Sequence, residues 1–324
     1  MDSFWKGKKI LVTGGAGFIG TYVVRNLVAR RGVPRDSIIV PRSIDCDLRS
    51  FENAARAAKG CDIVIHLAAR TGGIAFSRQH PASQYRDCML MNLHVMEAAR
   101  QTGAKKFLGL GNILVYPESS PSPLEEEYLH EGKVAATHLG VGTAKRDMVL
   151  LAEMYHREYG LDAVCVMSAN AYGPHDRFDP EVSHVIPATI AKCHKQENLI
   201  VWGDGSPTRD FLYVEDVAEG ILLAAETMHA PNYLLNIASG AEISIKDLVI
   251  LIARLCEFHG GVLFDPTKSG GDPRRCASGR KAEQILGFRP QVTLEEGLLR
   301  TIEWYRQTHL GKLDLQQHSG GSAV

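Results

Sequence analysis

The stretch "VTGGAGFIG" (residues 12–20) decides the fold, because it places a glycine-rich turn between two elements of different periodicity. The apolar run "KKILV" precedes it and predicts a strand, whereas the amphipathic stretch 18–31 predicts a helix. Gly14, Gly17 and Gly20 recur at three-residue spacing. Glycines in such a strand–turn–helix unit permit a tight turn and let the backbone approach a pyrophosphate at the helix N-terminus. The stretch therefore predicts a dinucleotide-binding site.

The end of the second predicted strand indicates which dinucleotide is bound. A carboxylate at this point usually holds the ribose 2'-hydroxyl of NAD. Here "IIVPRS" offers Arg42 instead, and a guanidinium suits a 2'-phosphate. NADP(H) is therefore predicted, with NAD as the alternative. Residues of the turn and of the next two strand ends are expected to contact this cofactor, namely Gly14, Gly17, Phe18, Ile19, Arg42, Asp47, Leu48, Leu67, Ala68 and Ala69.

Strand-like and helix-like patterns alternate through the first half of the chain, and this alternation predicts an α/β fold with a doubly wound, Rossmann-like parallel sheet. Later segments are expected to return to the same sheet, notably "FLYVEDVAEGILLAAE" and "YLLNIAS". The predicted strands of the first half are "KKILVTG", "SIIV", "CDIVIHLA", "KKFLGLG" and "DAVCVM", and the predicted helices cover 18–31, 49–58, 84–102 and 143–159.

A change in pattern after about residue 172 predicts two lobes. Residues 1–172 with about 208–240 are expected to form the NADP-binding domain. Residues about 173–207 with 241–312 are expected to form a smaller, interrupted substrate lobe, and 313–324 a flexible tail. Ligands of such folds bind at the carboxyl ends of the strands, so the active cleft is predicted between the lobes.

Composition excludes several classes of function. Of the 324 residues, 36 are basic and 37 acidic, so no overall field favours nucleic acid or an anionic membrane. No apolar run approaches the roughly 18 residues of a membrane span. The seven cysteines form no CxxC pair, and the histidines near residue 180 have no standard metal-ligand spacing. A soluble, cytoplasmic protein without a metal is therefore predicted.

Several motifs together resemble those of the extended short-chain dehydrogenases/reductases, and among them the GDP-L-fucose synthase family. The glycine turn, "HLAA" (66–69), "AK" (144–145) and "NAYGPHD" (170–176) carry the first resemblance. The resemblance runs from about residue 8 to 308. The segments that carry the closer one are "GGI" (72–74), "VYP" (115–117), "NAYGPHDRF" (170–178), "SHVIPA" (183–188), "VWGDGSPTRDFLYVEDVA" (201–218) and "FDPTKSGGDPRR" (264–275).

This resemblance implies an enzyme that modifies a nucleotide-diphosphate sugar. It also implies a homodimer that pairs through the helices predicted at 84–102 and 143–159. Lysine and arginine suit a diphosphate, and an indole can cover a base or a sugar face. By position in the family's motifs, the residues implied to contact the sugar, the diphosphate or the base are Asn170, His184, Lys192, Trp202, Arg209 and Lys268.

The catalytic positions depart from the pattern that the resemblance implies. The family uses a tyrosine four residues before its lysine, but Val141 stands four residues before Lys145. The serine that binds the reacting carbonyl is replaced by Asn112, which can still donate a hydrogen bond. Leu114 stands at the position of the cysteine base, whereas His184 keeps the position of the acid. A changed reaction is therefore expected.

Three explanations of these substitutions remain open. The enzyme uses different chemistry on a related nucleotide sugar, or the chain binds both ligands without turnover, or a slow reductase uses water as its donor. For the first, Lys145 is expected to hold the nicotinamide ribose, Asn112 the reacting oxygen, and His184 to transfer a proton. Other candidates for the acid or base are His138, Thr143 and Tyr128; Tyr116 is expected to line the pocket, and Cys88 replaces an asparagine that supports the lysine.

Overall fold

The computed structural model describes residues 4–179, 183–268 and 272–310, so the tail predicted at 313–324 lies outside the described residues. The strands, in chain order, are β1 (Ile10–Thr13), β2 (Ile38–Ile39), β3 (Ile63–His66), β4 (Lys106–Asn112), β5 (Ala163–Ser168), β6 (Asn170–Tyr172), β7 (Asn198–Trp202), β8 (Thr208–Tyr213), β9 (Leu234–Ile237), β10 (Glu242–Ser244), β11 (Gly261–Asp265) and β12 (Arg274–Arg275). The helices are α1 (Phe18–Ala29), α2 (Phe51–Ala58), α3 (Ile74–Gln79), α4 (Pro81–Gln101), α5 (Leu139–Tyr159), α6 (Val185–Cys193), α7 (Val214–Thr227), α8 (Ile245–Leu255), α9 (Arg280–Leu286) and α10 (Leu294–Tyr305).

Six parallel strands form the central sheet in the order β2-β1-β3-β4-β5-β9. Helices α1 and α7 pack against each other, and α4 packs against both α2 and α5. β1, β3 and β5 are buried along their whole length, as strands covered on both faces should be. The α/β fold with a doubly wound parallel sheet, predicted from the alternation of patterns, is confirmed.

A smaller sheet and a two-stranded ribbon complete the fold. β8 pairs with β6, β10 and β12, and β7 pairs with β11. The expectation that "FLYVED" begins a return to the central sheet is therefore wrong for β8, although α7 and β9 do return to it. An apolar run predicts a strand, but its periodicity does not say which sheet the strand joins.

The C-terminal third is shared between the two lobes. Ala277, Ala282 and Phe288 are buried in the core of the central sheet, and α9 packs against α7 and β9. α8 and α10 instead enclose a second apolar core, to which Tyr213 and Tyr305 belong. The division at 172, 208 and 240 remains a prediction, and the placements of β8 and α9 depart from it.

The seven cysteines all carry free thiols. Within residues 4–179, 183–268 and 272–310, no group of three or more His, Cys, Asp or Glu side chains is arranged to hold a metal ion. In the same ranges no helix is both long enough and apolar enough to cross a lipid bilayer.

Candidate active site

The glycine turn between β1 and α1 is shaped for close backbone approach. Gly14 has φ +70°, and a Cβ atom there would lie 2.9 Å from the backbone nitrogen of Ala68 at the end of β3. A Cβ atom on Gly20 would overlap the carbonyl oxygen of Gly14. α1 begins at Phe18 without a side-chain cap, so the N–H groups of its first turn are free to bind an anion. The turn therefore fits a dinucleotide pyrophosphate.

The end of β2 presents a cation to the same edge of the sheet. The Arg42 side chain is exposed, and the backbone N–H groups of Asp45 and Cys46 donate to its carbonyl at 3.1 and 2.8 Å. Asp47 is bound by Arg49 at 2.6 Å, which lowers the pKa of Asp47 to about 2. Leu48 packs into the core of the central sheet. Arg42 fits the 2'-phosphate of NADP, and the contacts of Asp47 and Leu48 with the adenine remain predictions.

A buried chain of hydrogen bonds connects the end of β1 to α5, the helix that carries Lys145. Thr13 Oγ1 and His66 Nδ1 lie 2.7 Å apart, and His66 Nε2 lies 3.1 Å from Asn92 Oδ1. Asn92 Nδ2 donates at 3.0 Å to the carbonyl of Ala144. Burial lowers the pKa of His66 to about 4, so this imidazole is neutral at pH 7. Sequence reasoning missed this role of His66 and Asn92, because residues on separate elements carry no common motif.

Lys145 lies on α5 and is almost fully buried. Burial lowers the pKa of its ammonium group, and the nearby Cys88 thiol opposes this shift. Nζ has no hydrogen-bond partner in the described part of the chain, and no tyrosine hydroxyl there bonds to it. Val141 lies one helical turn earlier on the same face and is half-buried. An aliphatic side chain therefore stands on the same helix face as the lysine, at the position where the family resemblance implies a tyrosine.

The segment after β4 is held by its backbone. Asn112 ends β4 opposite Ser168 and is half-buried. Nη2 of Arg146, on α5, donates at 2.6 Å to the carbonyl of Val115. The expectation that Tyr116 lines the pocket is wrong, because its ring is fully buried and its hydroxyl donates to Asn236 Oδ1 at 2.7 Å.

The remaining candidates near α5 have no bond to Lys145. Thr143 is half-buried in the first turn of α5. Tyr128 packs against the core of the central sheet. Neither residue is bonded to Lys145 in the way that the missing phenol would be. The roles of Thr143 and Tyr128 as acid or base therefore stay predictions.

Two lysines and a tryptophan meet in the smaller lobe. Lys268 Nζ lies 4.9 Å from the ring centroid of Trp202, at the end of β7, and 56% of the Trp202 surface is exposed. Lys192, near the end of α6, donates to the carbonyl of Ile200 at 3.3 Å. Burial and the charge of Lys268 both lower the pKa of Lys192. Two adjacent ammonium groups beside an exposed indole suit a diphosphate and a base.

A second cationic group lies where the smaller sheet meets the central sheet. Arg209 on β8 donates through Nη1 to the carbonyl of Asp272 at 2.7 Å. Arg275, its neighbour on β12, is buried and donates through Nε to Asp272 Oδ2 at 2.9 Å. Nη1 of Arg275 also donates to the carbonyls of Tyr116 and Pro117, at 3.2 and 3.0 Å. These bonds join the smaller lobe to the segment after β4.

The structure brings two histidines to this second group. His184 precedes α6; its Nδ1 lies 4.0 Å from Asp176 Oδ2, and this carboxylate raises the pKa of His184. Burial lowers the pKa of His138 to about 4; the Asp272 carboxylate opposes this shift, and the charges of Arg275, Arg209 and His184 add to it. The His184 side chain is exposed, with 72% of its surface accessible. The surroundings therefore disfavour the charged form of His138 and favour the charged form of His184.

Asn170 occupies a neighbouring position at the start of β6. Its Nδ2 donates at 2.9 Å to the carbonyl of Asp210, in the strand that carries Arg209. The amide is half-buried. Among the substrate residues implied by the resemblance, Lys192, Trp202 and Lys268 thus form one group, and Asn170 and Arg209 lie together at the smaller sheet. His184 faces Asp176 at the start of α6.

Comparison with known proteins agrees with this geometry. The model of the NAD dependent epimerase/dehydratase family matches residues 10–238. The chain is 34% identical to a GDP-L-fucose synthase of Sinorhizobium fredii over 304 residues, which are 92% of this chain and 95% of that protein. It is 33% identical to probable GDP-L-fucose synthase 1 of Oryza sativa subsp. japonica over 306 residues, or 93% and 92% of the two chains.

A solved structure shows the same architecture. The GDP-L-fucose synthetase of Naegleria fowleri bound to NADP superimposes with a TM-score of 0.81 at 26% identity, covering 94% of this chain and 95% of that chain. Together with the sequence matches, this similarity confirms the resemblance that the motifs predicted.

Proposed function

Because this chain belongs to the NAD dependent epimerase/dehydratase family, we propose that it is an NADP-dependent enzyme that modifies a nucleotide-diphosphate sugar, in the first place a GDP-sugar, by redox or epimerisation chemistry. Its similarity to GDP-L-fucose synthases over more than nine-tenths of the chain supports the substrate class. The observation that carries the proposal is the pairing of a glycine turn at the central sheet with two cationic groups and an exposed indole in the smaller lobe.

The cofactor would be held by the turn and by the strand ends. Gly14 and Gly17, with the first N–H groups of α1 at Phe18 and Ile19, would bind the pyrophosphate. Arg42 would bind the 2'-phosphate. Lys145 would hold the nicotinamide ribose, and Leu67, Ala68 and Ala69 would pack along the cofactor. When bound, NADP(H) supplies or accepts a hydride at a carbon of the sugar.

The nucleotide sugar would lie across the smaller lobe. Lys192, Lys268 and Arg209 would neutralise the diphosphate, and Trp202 would cover the base or a sugar face. Asn170 would hydrogen-bond the sugar.

The reaction would proceed without the family's tyrosine. Asn112 would donate a hydrogen bond to the reacting oxygen, because its amide replaces the serine hydroxyl at the end of β4. His184 would transfer a proton, since Asp176 keeps this imidazole charged to higher pH. Val141 leaves Lys145 without a phenol to activate, so the lysine's role would be limited to binding the cofactor.

A second candidate function follows from the substituted positions. The chain would bind NADP and a nucleotide sugar without turnover, as a regulatory or partner protein. Val141, Asn112 and Leu114 favour this reading, because none of them exchanges protons at neutral pH.

Binding and turnover separate the two functions. Calorimetric titration with NADP⁺, NAD⁺, GDP and UDP would measure affinity, and incubation with NADPH and GDP-4-keto-6-deoxymannose would measure turnover. We expect NADP⁺ to bind more tightly than NAD⁺, GDP more tightly than UDP, and products to exceed the enzyme concentration. Tight binding without turnover would favour the second function. K192M and K268M should weaken GDP binding, whereas K195M, which removes an exposed lysine just beyond α6, should not.

We also propose that the protein is a cytoplasmic homodimer that pairs through α4 and α5. These helices pack side by side and expose large apolar side chains, namely Tyr85, Leu93, Leu150 and Met154. The free thiols agree with a reducing compartment. Light scattering during size-exclusion chromatography would test the dimer, and M154E should shift the mass toward that of a monomer.

A further inference from the structure

His138 lies where the two lobes meet, although no motif marks it. It is the residue immediately before α5, three residues before Val141 and seven before Lys145. Its backbone N–H donates to the carbonyl of Ala135 at 2.9 Å, which fixes the short turn that precedes the helix. The imidazole is half-buried, and its side chain forms no hydrogen bond with the described residues. A polar ring so placed is available to a ligand in the cleft.

Charged groups from three other segments surround this ring. Arg209 comes from β8, Asp272 and Arg275 from the segment around β12, and His184 from the start of α6. The two arginines are held by Asp272, which accepts from Arg209 through its carbonyl and from Arg275 through its carboxylate. Because these bonds fix the two arginines and Asp272 relative to one another, the charges that face His138 belong to the fold.

The arrangement around Arg275 is costly for stability. Its side chain is 2% exposed, and Nη2 is buried without a hydrogen-bond partner in the described part of the chain. A buried unsatisfied donor costs about 1–3 kcal/mol, and more on a charged group. A site that tolerates this cost beside a histidine is better explained by function than by packing.

The surroundings of the two histidines shift their pKa values in opposite directions. Burial disfavours the charged form of His138; Asp272 opposes this effect and the two arginines add to it, and the pKa falls to about 4. The carboxylate of Asp176 favours the charged form of His184 and raises its pKa. Two titratable groups whose surroundings push their pKa values apart are the usual mark of a base and its acid.

We propose that His138 and His184 form an acid–base pair that acts on a ring carbon next to the ketone of the bound nucleotide sugar, with His138 accepting the proton. This inference rests on the proposed function, because it assumes a nucleotide sugar in the cleft. Leu114 stands where the family resemblance implies the base, and it cannot titrate. His138 adjoins this position, because a Cβ atom on Gly142 would lie 3.5 Å from the carbonyl oxygen of Leu114 and 3.8 Å from Cβ of His138. His138 would take over that role from α5's N-terminal end.

The proposed step balances without an oxidant. The C–H bond next to the ketone breaks, its proton goes to an imidazole nitrogen of His138, and its electron pair forms an enolate whose oxygen is held by Asn112. His184, as imidazolium, then delivers a proton to the opposite face of the carbon while the enolate returns to the ketone. The configuration of the carbon inverts. Exchange with solvent afterwards removes the proton from His138 and restores one to His184.

Deuterium exchange tests the pair with GDP-4-keto-6-deoxymannose as the probe. In deuterated water without NADPH, the wild-type protein should incorporate deuterium at the carbons next to the ketone, as seen by NMR. H138Q should slow this incorporation by about 10²-fold or more, the usual loss when a general base is removed. Added imidazole should restore part of the rate in H138A, which a purely structural role would not allow. H130Q, which changes an exposed histidine in the preceding loop, is the matched control.

Titration of each variant with GDP and NADP⁺ separates this inference from the proposed function. Retained binding with lost exchange in H138Q supports the acid–base pair, and retained exchange in H138Q overturns it. If the wild-type protein binds both ligands and shows no exchange, the acid–base pair is also overturned. The proposed binding of NADP and a nucleotide sugar then still stands. A wild-type protein that binds neither ligand would instead overturn the proposed function itself.

Discussion

The glycine turn and the segment from Asn112 to Lys145 both belong to the candidate active site, yet only the second departs from the pattern that the family resemblance implies. At the turn, backbone geometry makes the demand, because a Cβ atom on Gly20 would overlap a carbonyl oxygen. At Val141 the demand is chemical, since a half-buried aliphatic side chain stands where the resemblance implies a phenol. Steric requirements therefore constrain the glycine turn, whereas packing alone does not decide which group stands at residue 141.

Substitution of Gly20 should give the largest loss of stability and of cofactor binding, because the turn has no space for a Cβ atom at this residue. In G20A the Cβ atom must displace the carbonyl of Gly14 or shift α1, so we expect a loss of about 3 kcal/mol or more in stability and no measurable NADP binding. Thermal unfolding and calorimetric titration measure the two losses. G60A is the control, since a Cβ atom there meets nothing within 4 Å and its φ of +71° adds only backbone strain. Equal effects of G20A and G60A would contradict the steric account.

Restoring the phenol tests the chemical side. In V141Y a hydroxyl would lie one helical turn from Lys145, whose charge favours ionisation of the phenol. We expect NADPH-dependent reduction of GDP-4-keto-6-deoxymannose to rise by about 10²-fold, as for an added general acid. V141F fills the same volume without the hydroxyl, so it separates proton transfer from packing. If the two variants reduce the ketone equally fast, the missing phenol does not limit the reaction.

The sequence predicts the glycine turn, which depends on backbone geometry, better than it predicts the segment from Asn112 to Lys145, which depends on side-chain contacts. Glycine spacing and strand periodicity are local, so the turn and the parallel sheet follow from adjacent residues. The environment of His138 depends on Asp272 and Arg275, which are more than 130 positions away. Tyr116 shows the same limit: "VYP" identifies the segment, but only the bond to Asn236 shows that the phenol is turned into the core.

The arginine beside His138 should control the pH dependence of deuterium exchange. A base that must be neutral gives a rate that rises as pH passes its pKa, here about 4, and protonated His184 gives a fall above its own raised pKa. R275M removes a positive charge that lowers the pKa of His138, so the rising limb should move to higher pH. R274M is the matched control, because Arg274 is exposed and pairs with Glu242. An identical shift in both variants would show that the limb does not report the field of Arg275.

The smallest expected effect is at Lys192, which the proposed function places against the diphosphate. A lysine binds a phosphate as a point charge, whereas a guanidinium forms two parallel bonds, so K192R should tighten GDP binding about threefold to tenfold. The rate of deuterium exchange should stay constant, because Lys192 belongs to the group around Trp202 and Lys268 and not to the histidines. Titration with GDP and the exchange assay measure the two quantities on the same protein. A change in exchange rate as large as the change in affinity would mean that diphosphate binding and proton transfer are coupled across the lobe. Lys192 could then no longer be assigned to binding alone.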